Sequence, residues 1–212
     1  RFPVNRLFFV GRNYQAHAIE MGTSVDKGSM RPVYFTKSSA NLALSGSTAP
    51  YPPETRDYHH EMELVVAIGE AGFRVDESAA RRMIYGYACG LDMTRRDLQA
   101  VAKAKGNPWD LAKNVESGAV CGEIQPAGGE LLRSGEIVLR VNGEVRQRAD
   151  LSDMIWSIPE IIADLSTYYH LQAGDLIYTG TPEGVGPVKP GDRLEGSVEG
   201  AGSIEFEIGE AE

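Results

Sequence analysis

The chain has 212 residues, 42% of them hydrophobic and 24% charged, so it is long enough to bury a core and too apolar to be disordered. Its formal net charge of -9 argues against a nucleic-acid partner, although local cations could still bind a small anionic substrate. No apolar run approaches the length of a membrane span. Cys89 and Cys121 form no zinc or CxxC pattern, so we expect free buried thiols in a cytoplasmic protein, with a disulfide as the alternative.

In chain order, the first predicted elements are a strand at Leu7–Val10, a helix over Gln15–Glu20 and a strand over "VYFTK". The segment "MGTSVDKGSM", residues 21–30, separates the helix from the second strand and has no apolar period. Few contacts should hold such a segment. We therefore predict a mobile lid that becomes ordered over the site when a 2-oxo acid binds.

The helix over Gln15–Glu20 carries His17 and Glu20, which share one helix face because they are three residues apart. A carboxylate so placed can orient the imidazole and raise its basicity, as the activation of a water molecule requires. A surface ion pair on a short helix is the alternative.

The next stretch, "TRDYHHEMELVVAIG", is predicted to be a buried strand, yet it contains two carboxylates, Glu61 and Glu63. Side chains two apart on a strand point to one face. Asp92, at the end of the predicted strand "YGYACGLD", could complete a cluster that only a cation would neutralise. Oxygen ligands favour Mg²⁺, Mn²⁺ or Ca²⁺. The alternative is that the two glutamates face solvent and Asp92 caps a helix. Of the preceding His59 and His60, we expect at most one to lie near the site.

Two helices are predicted around Asp92: one over Glu77–Met83, and one over "TRRDLQAVAKAKG" with a capping-box-like Thr94 and Asp97 and a stop at Gly106.

The second of these helices presents Arg96, Gln99 and Lys103 on one face, a row that could hold a substrate carboxylate or carbonyl group, or could simply be a solvated polar face. Lys113 follows an aromatic and two apolar residues in "NPWDLAKNV". It is either buried with an anionic partner or extended along the surface to water.

Near the carboxyl end, Asn142 and Gly143 predict a type I′ hairpin. Ser157 and Glu160 predict the start of a helix over "SIPEIIADLSTYYHL". The Gly-rich "YTGTPEGVG" offers threonine hydroxyls, including that of Thr181, and suits either an anion site or a plain turn. With no repeat and no linker, residues 1–212 are predicted to form one strand-rich domain with a few helices.

Five segments, "VGRNYQAHAIEMG", "HHEMELVVAIG", "GYACGLDMTRRDLQ", "GNPWDLAKN" and "TGTPEGVG", resemble the fumarylacetoacetate hydrolase family in their correct order. The resemblance is greatest to its small acylpyruvase and fumarylpyruvate hydrolase members. It implies an α+β fold, a mixed β-sandwich or β-roll with peripheral helices, and a homodimer. It also implies hydrolysis of a carbon–carbon bond in a small anionic 2-oxo acid, with fumarylpyruvate as the most specific expectation and Mg²⁺ or Mn²⁺ as the cofactor.

The resemblance also assigns roles to nine side chains. The implied metal ligands are Glu61, Glu63 and Asp92, the catalytic residues His17, Glu20 and Lys113, and the substrate contacts Arg96, Gln99 and Thr181.

The chain departs from the family pattern in two places: Ser38 replaces a common proline, and residues 114–120 read "NVESGAV". Both lie near the expected pocket and leave the exact substrate open. The alternatives are an oxaloacetate or tricarboxylate decarboxylase, a 2-oxo acid isomerase on the same metal site, or a metal-binding relative with impaired catalysis.

Overall fold

Strands dominate the computed structural model, which describes residues 2–211. The helices are α1 (Gln15–Glu20), α2 (Glu77–Arg82), α3 (Arg96–Lys105), α4 (Asp110–Lys113) and α5 (Ile158–Leu165). The strands are β1 (Leu7–Gly11), β2 (Val33–Lys37), β3 (Leu42–Leu44), β4 (Ser47–Tyr51), β5 (Tyr58–His60), β6 (Met62–Ile68), β7 (Ile84–Asp92), β8 (Thr94–Arg95), β9 (Ala119–Cys121), β10 (Gln125–Pro126), β11 (Glu136–Val141), β12 (Glu144–Asp150), β13 (Leu176–Tyr178), β14 (Gly186–Val188), β15 (Arg193–Val198) and β16 (Gly202–Ala211).

The strands form three sheets. An eight-stranded sheet has the order β2-β1-β13-β6-β7-β9-β3, with β10 paired to β7. A five-stranded sheet has the order β12-β11-β15-β16-β4, and β14-β5-β8 form a small third sheet. Parallel pairs such as β1 with β13 occur beside antiparallel ones such as β6 with β7. The predicted mixed, strand-rich sandwich or roll with few helices is confirmed.

The main core lies between the two larger sheets, where β6 and β7 contact β11, β15 and β16. Alternate residues of β6, from Met62 to Ile68, enter this core, while Val65 and Ala67 pack in a second cluster on the opposite face. The sheets approach closely at Gly196, where a Cβ atom would lie 2.7 Å from Sδ of Met62. Because side chains alternate along a strand, Glu63 shares the odd-numbered face of β6 with Val65 and Ala67.

Several local signals have the predicted effect. The left-handed Gly106, with a φ of 67°, ends α3. Asn142 and Gly143 have φ angles of 53° and 84°, as a type I′ turn between β11 and β12 requires. At the start of α5, the N–H of Ser157 donates to Oε2 of Glu160 at 2.8 Å.

The predicted capping box at Thr94 and Asp97 is wrong. Helix α3 begins two residues after Thr94, which lies in β8, and the side chain of its N-cap residue, Arg95, makes no capping hydrogen bond. The Asp97 carboxylate instead accepts hydrogen bonds from the hydroxyl of Thr55 at 2.6 Å and the backbone N–H of Arg56 at 3.0 Å. Tertiary partners therefore outcompete the local cap.

The predicted lid, residues 21–30, has more anchors than its composition suggests. The N–H of Thr23 donates to the carbonyl oxygen of Ala18 at 2.8 Å, and Val25 packs against the main core. Nζ of Lys27 lies 2.7 Å from Oε1 of Glu160 on α5. Ligand-dependent ordering of this segment stays a prediction.

Cys89 and Cys121 are free and buried, as expected. In the described part of the chain, no helix combines the length and the apolar character needed to cross a membrane.

Candidate active site

Three buried carboxylates converge on one face of the large sheet. Glu63 lies in β6, Glu61 immediately precedes this strand, and Asp92 ends the neighbouring strand β7. The Asp92 N–H donates to the carbonyl oxygen of Glu61 at 2.9 Å, so the two residues stand opposite one another. One oxygen from each carboxylate lies within 4.8 Å of the others. The two glutamates therefore share a face, as predicted, but that face is buried rather than solvated.

Lys113 neutralises part of this cluster. Its Nζ donates to Oε2 of Glu61 at 2.8 Å, to Oδ2 of Asp92 at 2.5 Å and to Oγ1 of Thr94 at 2.7 Å. Only 3% of Lys113 is exposed, so the alternative of a lysine extended to solvent is excluded.

A second buried ammonium group, that of Lys37, was missed by the sequence analysis. Lys37 ends β2, and its Nζ donates to the carbonyl oxygens of Met93 and Gly118, each at 2.8 Å. Nζ also lies 2.6 Å from Oδ1 of Asp92, so the two side chains form a buried ion pair. The only signal in the sequence is a lysine at the end of an apolar strand.

The pKa values of Glu63 and Glu61 are shifted in opposite directions. Burial raises the pKa of Glu63 well above its usual range, and the charges of Asp92 and Glu61 add to this effect. Burial acts in the same direction on Glu61, but Lys113 and Arg96 reverse it and hold the pKa of Glu61 well below the usual range. Glu63 has no cationic partner among residues 2–211. The crowded oxygens of Glu61, Glu63 and Asp92 therefore fit a hard divalent cation.

The predicted base and its orienting carboxylate also lie together. Nδ1 of His17 lies 3.1 Å from Oε2 of Glu20, and the other oxygen of Glu20 accepts the N–H of Gly184 at 3.0 Å. Gly184 has a φ of 88°, and a Cβ atom there would lie 2.2 Å from the carbonyl oxygen of Arg146. Only glycine fits this position. With a proton on Nδ1 facing Glu20, Nε2 of His17 is left as an acceptor.

A single cleft joins the carboxylate cluster to the imidazole. Its polar lining includes His17, Arg12, Glu61, Glu63, Arg96, Gln99, Lys103, Lys113 and Thr181.

The predicted polar row on α3 lines this cleft. Arg96 pairs with Glu61, and its Nη1 donates to Oε1 of Gln99 at 2.6 Å. Arg96 and Gln99 are buried, whereas Lys103 is exposed, so the row runs from the interior to the mouth of the cleft. The row is therefore more than a solvated helix face.

Thr181 receives its orientation from Gln147, a residue that the sequence analysis missed. Oε1 of Gln147 accepts a hydrogen bond from the backbone N–H of Met62 at 2.9 Å, so the side-chain Nε2 of Gln147 is the donor on the other side. That Nε2 donates to Oγ1 of Thr181 at 2.8 Å and to the carbonyl oxygen of Pro182 at 2.9 Å. Because Oγ1 of Thr181 accepts this bond, its own hydrogen is free to point into the cleft.

The adjacent histidines lie apart, as expected for neighbours on a strand. Nδ1 of His60 lies 3.1 Å from Oε1 of Gln147, and burial lowers the pKa of His60 to about 4. His59 pairs with Asp57 at 2.8 Å. Neither belongs to the carboxylate cluster.

The two departures from the family pattern contact each other. The Ser38 N–H donates to Oδ1 of Asn114 at 2.8 Å, a bond that proline could not make. The same oxygen accepts Nδ2 of Asn41 at 2.6 Å. Since Ser38 follows Lys37 and Asn114 follows Lys113, this bridge ties together the backbones that carry both buried lysines.

Comparisons with known proteins agree with this geometry. The family model described as fumarylacetoacetate (FAA) hydrolase C-terminal matches residues 6–209. A fumarylpyruvate hydrolase from a Ralstonia species is 58% identical over 192 residues, which cover 91% of this chain and 100% of the relative. The mitochondrial oxaloacetate tautomerase FAHD1 of Arabidopsis thaliana is 40% identical over 206 residues, covering 96% of this chain and 90% of the relative. The crystal structure of fumarylpyruvate hydrolase from Pseudomonas aeruginosa, in complex with Mn²⁺ and pyruvate, is similar with a TM-score of 0.93 and 42% identity, covering 99% of this chain and 91% of that one.

Proposed function

The chain belongs to the fumarylacetoacetate hydrolase family, and we propose that it is a divalent-metal-dependent hydrolase that cleaves the carbon–carbon bond of acylpyruvates. The observation that carries this proposal is that His17, paired with Glu20, shares one cleft with Glu61 and Glu63. The carboxylate of Asp92 clusters with these two glutamates. Fumarylpyruvate is the favoured substrate, since relatives with 58% and 42% identity are fumarylpyruvate hydrolases.

His17 supplies the base. Nε2 removes a proton from a water molecule whose oxygen attacks the carbonyl carbon on the acyl side, while Glu20 holds the imidazole through Nδ1. The bond from that carbon to the adjacent methylene then breaks, and its electron pair becomes the enolate of pyruvate. A proton returns to the methylene carbon. The water oxygen ends in the new carboxylate, so the products are fumarate and pyruvate.

The remaining side chains hold the substrate. Gln99 and the free hydroxyl hydrogen of Thr181 are placed to bind substrate oxygens, and the Lys113 ammonium group supplies positive charge beside them. Arg96 positions Gln99 and Glu61. A bound divalent ion, for which we propose Mg²⁺ with Mn²⁺ able to replace it and Ca²⁺ a further option, would stabilise developing negative charge.

A second activity on the same site would need no attacking water. Enolate stabilisation alone supports tautomerisation or decarboxylation of oxaloacetate, and oxaloacetate tautomerases are among the relatives at about 40% identity. The His17–Glu20 pair favours hydrolysis over decarboxylation, because water activation requires a base and loss of carbon dioxide does not.

The cellular setting is part of the proposal. We propose one catalytic domain that acts as a homodimer in the cytoplasm, in the breakdown of aromatic rings. Its partner is a small anionic 2-oxo acid, with no nucleic-acid or membrane ligand. The unpaired Cys89 and Cys121 support a reducing compartment, and the net charge of -9 argues against nucleic acid.

The experiment is to incubate the Mg²⁺-loaded protein with fumarylpyruvate in isotopically labelled water and to analyse the products by mass spectrometry. We expect equal amounts of fumarate and pyruvate, with the labelled oxygen in a fumarate carboxylate. Release of carbon dioxide without pyruvate, or no turnover of any acylpyruvate, would overturn the proposal.

A further inference from the structure

Two cations at the mouth of the cleft have no anionic partner in the described part of the chain. Arg12 and Lys103 both line the cleft, and neither makes an ion pair with any carboxylate among residues 2–211. In contrast, Arg96 and Lys113, deeper in the same cleft, are both paired with Glu61. In a protein of net charge -9, two adjacent unpaired cations facing one cavity indicate a site for an anion.

Arg12 is held there by an unusual backbone. Its φ is 70°, in the left-handed region that non-glycine residues rarely adopt. The following residue, Asn13, fixes the turn: Nδ2 donates to the carbonyl oxygens of Trp156 at 3.0 Å and Thr179 at 2.8 Å, and Oδ1 accepts the Trp156 N–H at 2.8 Å. Backbone strain of this kind persists where the surroundings enforce it, and it is common at ligand sites.

Lys103 forms the other side of the mouth. It lies seven residues beyond Arg96 on α3, so its Cα is about 10 Å further along the helix axis. Its Nζ lies 5.4 Å from the ring centroid of Trp109, which also lines the cleft. Partial burial there, with the neighbouring charges of Arg96 and Arg12, lowers the pKa of Lys103 to about 8. The mutual repulsion of these cations would be relieved by a bound anion.

We propose that Arg12 and Lys103 form a carboxylate-binding subsite for the remote end of the substrate, so that the protein selects dicarboxylic 2-oxo acids over those with neutral tails. This inference rests on the proposed function, because it takes the substrate to bind with its 2-oxo acid end beside Glu61, Glu63 and Asp92. In fumarylpyruvate, the second carboxylate lies five carbon atoms beyond the 2-oxo carbon. An extended chain of that length, lying along the row of α3, brings this carboxylate toward the mouth of the cleft.

The test is binding without turnover. Calorimetry with the Mg²⁺-loaded protein compares 2-oxopimelate with 2-oxoheptanoate, which have the same chain length and the same 2-oxo acid end but differ in the terminal carboxylate. We expect the dicarboxylate to bind at least about tenfold more tightly, as charge-assisted hydrogen bonds predict. Equal affinity in the wild-type protein would overturn the subsite.

Variants locate the preference. Arg12→Gln and Lys103→Gln should each reduce the preference for 2-oxopimelate, and the double variant should abolish it without weakening 2-oxoheptanoate. Arg12→Lys should retain most of it, and Lys105→Gln, an exposed change on the same helix, should retain all of it. A preference that survives in the double variant, or an equal loss of both ligands, contradicts the inference. Failure of the proposed function would appear separately, as binding of these ligands without cleavage of any acylpyruvate.

Discussion

Nζ of Lys113 lies 2.5 Å from Oδ2 of Asp92, and both side chains are almost completely shielded from water. Breaking a buried ion pair leaves an uncompensated charge in a poorly solvated site. Glu63, in contrast, has no cationic partner within ion-pair distance in the described chain, and its oxygen accepts only a backbone N–H, that of Gly180 at 2.7 Å. The three proposed metal ligands are therefore not equivalent in what they contribute to the folded protein.

Substitution of Glu63 should separate metal binding from stability. Glu63→Gln keeps the acceptor for Gly180 and removes repulsion between carboxylates, so the metal-free protein should unfold at the same or a higher temperature. Mg²⁺ affinity and turnover should be lost. Lys113→Met is the contrasting variant, which should lower the free energy of unfolding by about 3–5 kcal/mol. Unchanged Mg²⁺-dependent turnover in Glu63→Gln would remove this residue from the metal site.

Gln147 should act on the substrate through Thr181. The carboxylate that Gln147→Glu introduces can only accept from the Thr181 hydroxyl, so the hydroxyl hydrogen would turn away from the cleft. We expect KM for the acylpyruvate to rise by about tenfold, with a smaller change in kcat.

The control for Gln147 is a double-mutant cycle. In a Thr181→Val background, Gln147→Glu should have no further effect on KM, because no hydroxyl remains to be turned. Additive effects would indicate that Gln147 has only a structural role.

The pH dependence of dianion binding should follow Lys103. Below its pKa of about 8 the ammonium is charged and holds the remote carboxylate, and this charge is lost as the pH rises through that value. The charged groups that face Lys103 are Arg96 and Arg12, together with Glu61 and Lys113, which are paired with each other.

As the pH is raised past about 8, the pKa of Lys103, KM for fumarylpyruvate should therefore increase. KM for acetylpyruvate, which lacks a second carboxylate, should not show this increase. The same increase in Lys103→Gln would assign the titration to another group.

The segment 21–30 should become ordered with ligand. It follows His17 and Glu20 directly, and Met21 lines the cleft. Amide hydrogen exchange of residues 14–30, measured in Mg²⁺ with and without oxalate, should slow when oxalate is bound. Substitution Lys27→Gln, which removes the ion pair to Glu160, should speed exchange in both states. Exchange that is equal with and without saturating oxalate would show that this segment is not a ligand-gated lid.

Local patterns predicted much of the fold. Three correct predictions depend only on residues that are close in the sequence, so a local pattern is enough to make them. They are the end of α3 at Gly106, the Asn142–Gly143 turn and the helix over Gln15–Glu20. The structure brings Glu61, Glu63 and Asp92 together, and His17 lines the same cleft as the two glutamates. The family motifs assign roles to these four residues, and those roles stay predictions.

The residues that sequence analysis missed act over long separations. Lys37 reaches the carbonyl group of Met93, and Gln147 reaches the N–H of Met62. No periodicity or spacing connects such pairs, because the sheet pairing that joins them is a property of the whole chain. The predicted cap at Thr94 is wrong for the same reason: its hydroxyl oxygen accepts a hydrogen bond from Nζ of Lys113, a residue of the later helix α4.

The most direct test of the central claim is the rate of fumarylpyruvate cleavage by His17→Ala compared with the wild type, at saturating Mg²⁺. Loss of the general base should lower kcat by about 10²–10⁴-fold. The affinity for Mg²⁺ should not change, because His17 is not a proposed metal ligand. A fall of less than about threefold in kcat, or decarboxylation of oxaloacetate as the main activity and unaffected by the substitution, would contradict a hydrolase that works through the His17–Glu20 pair.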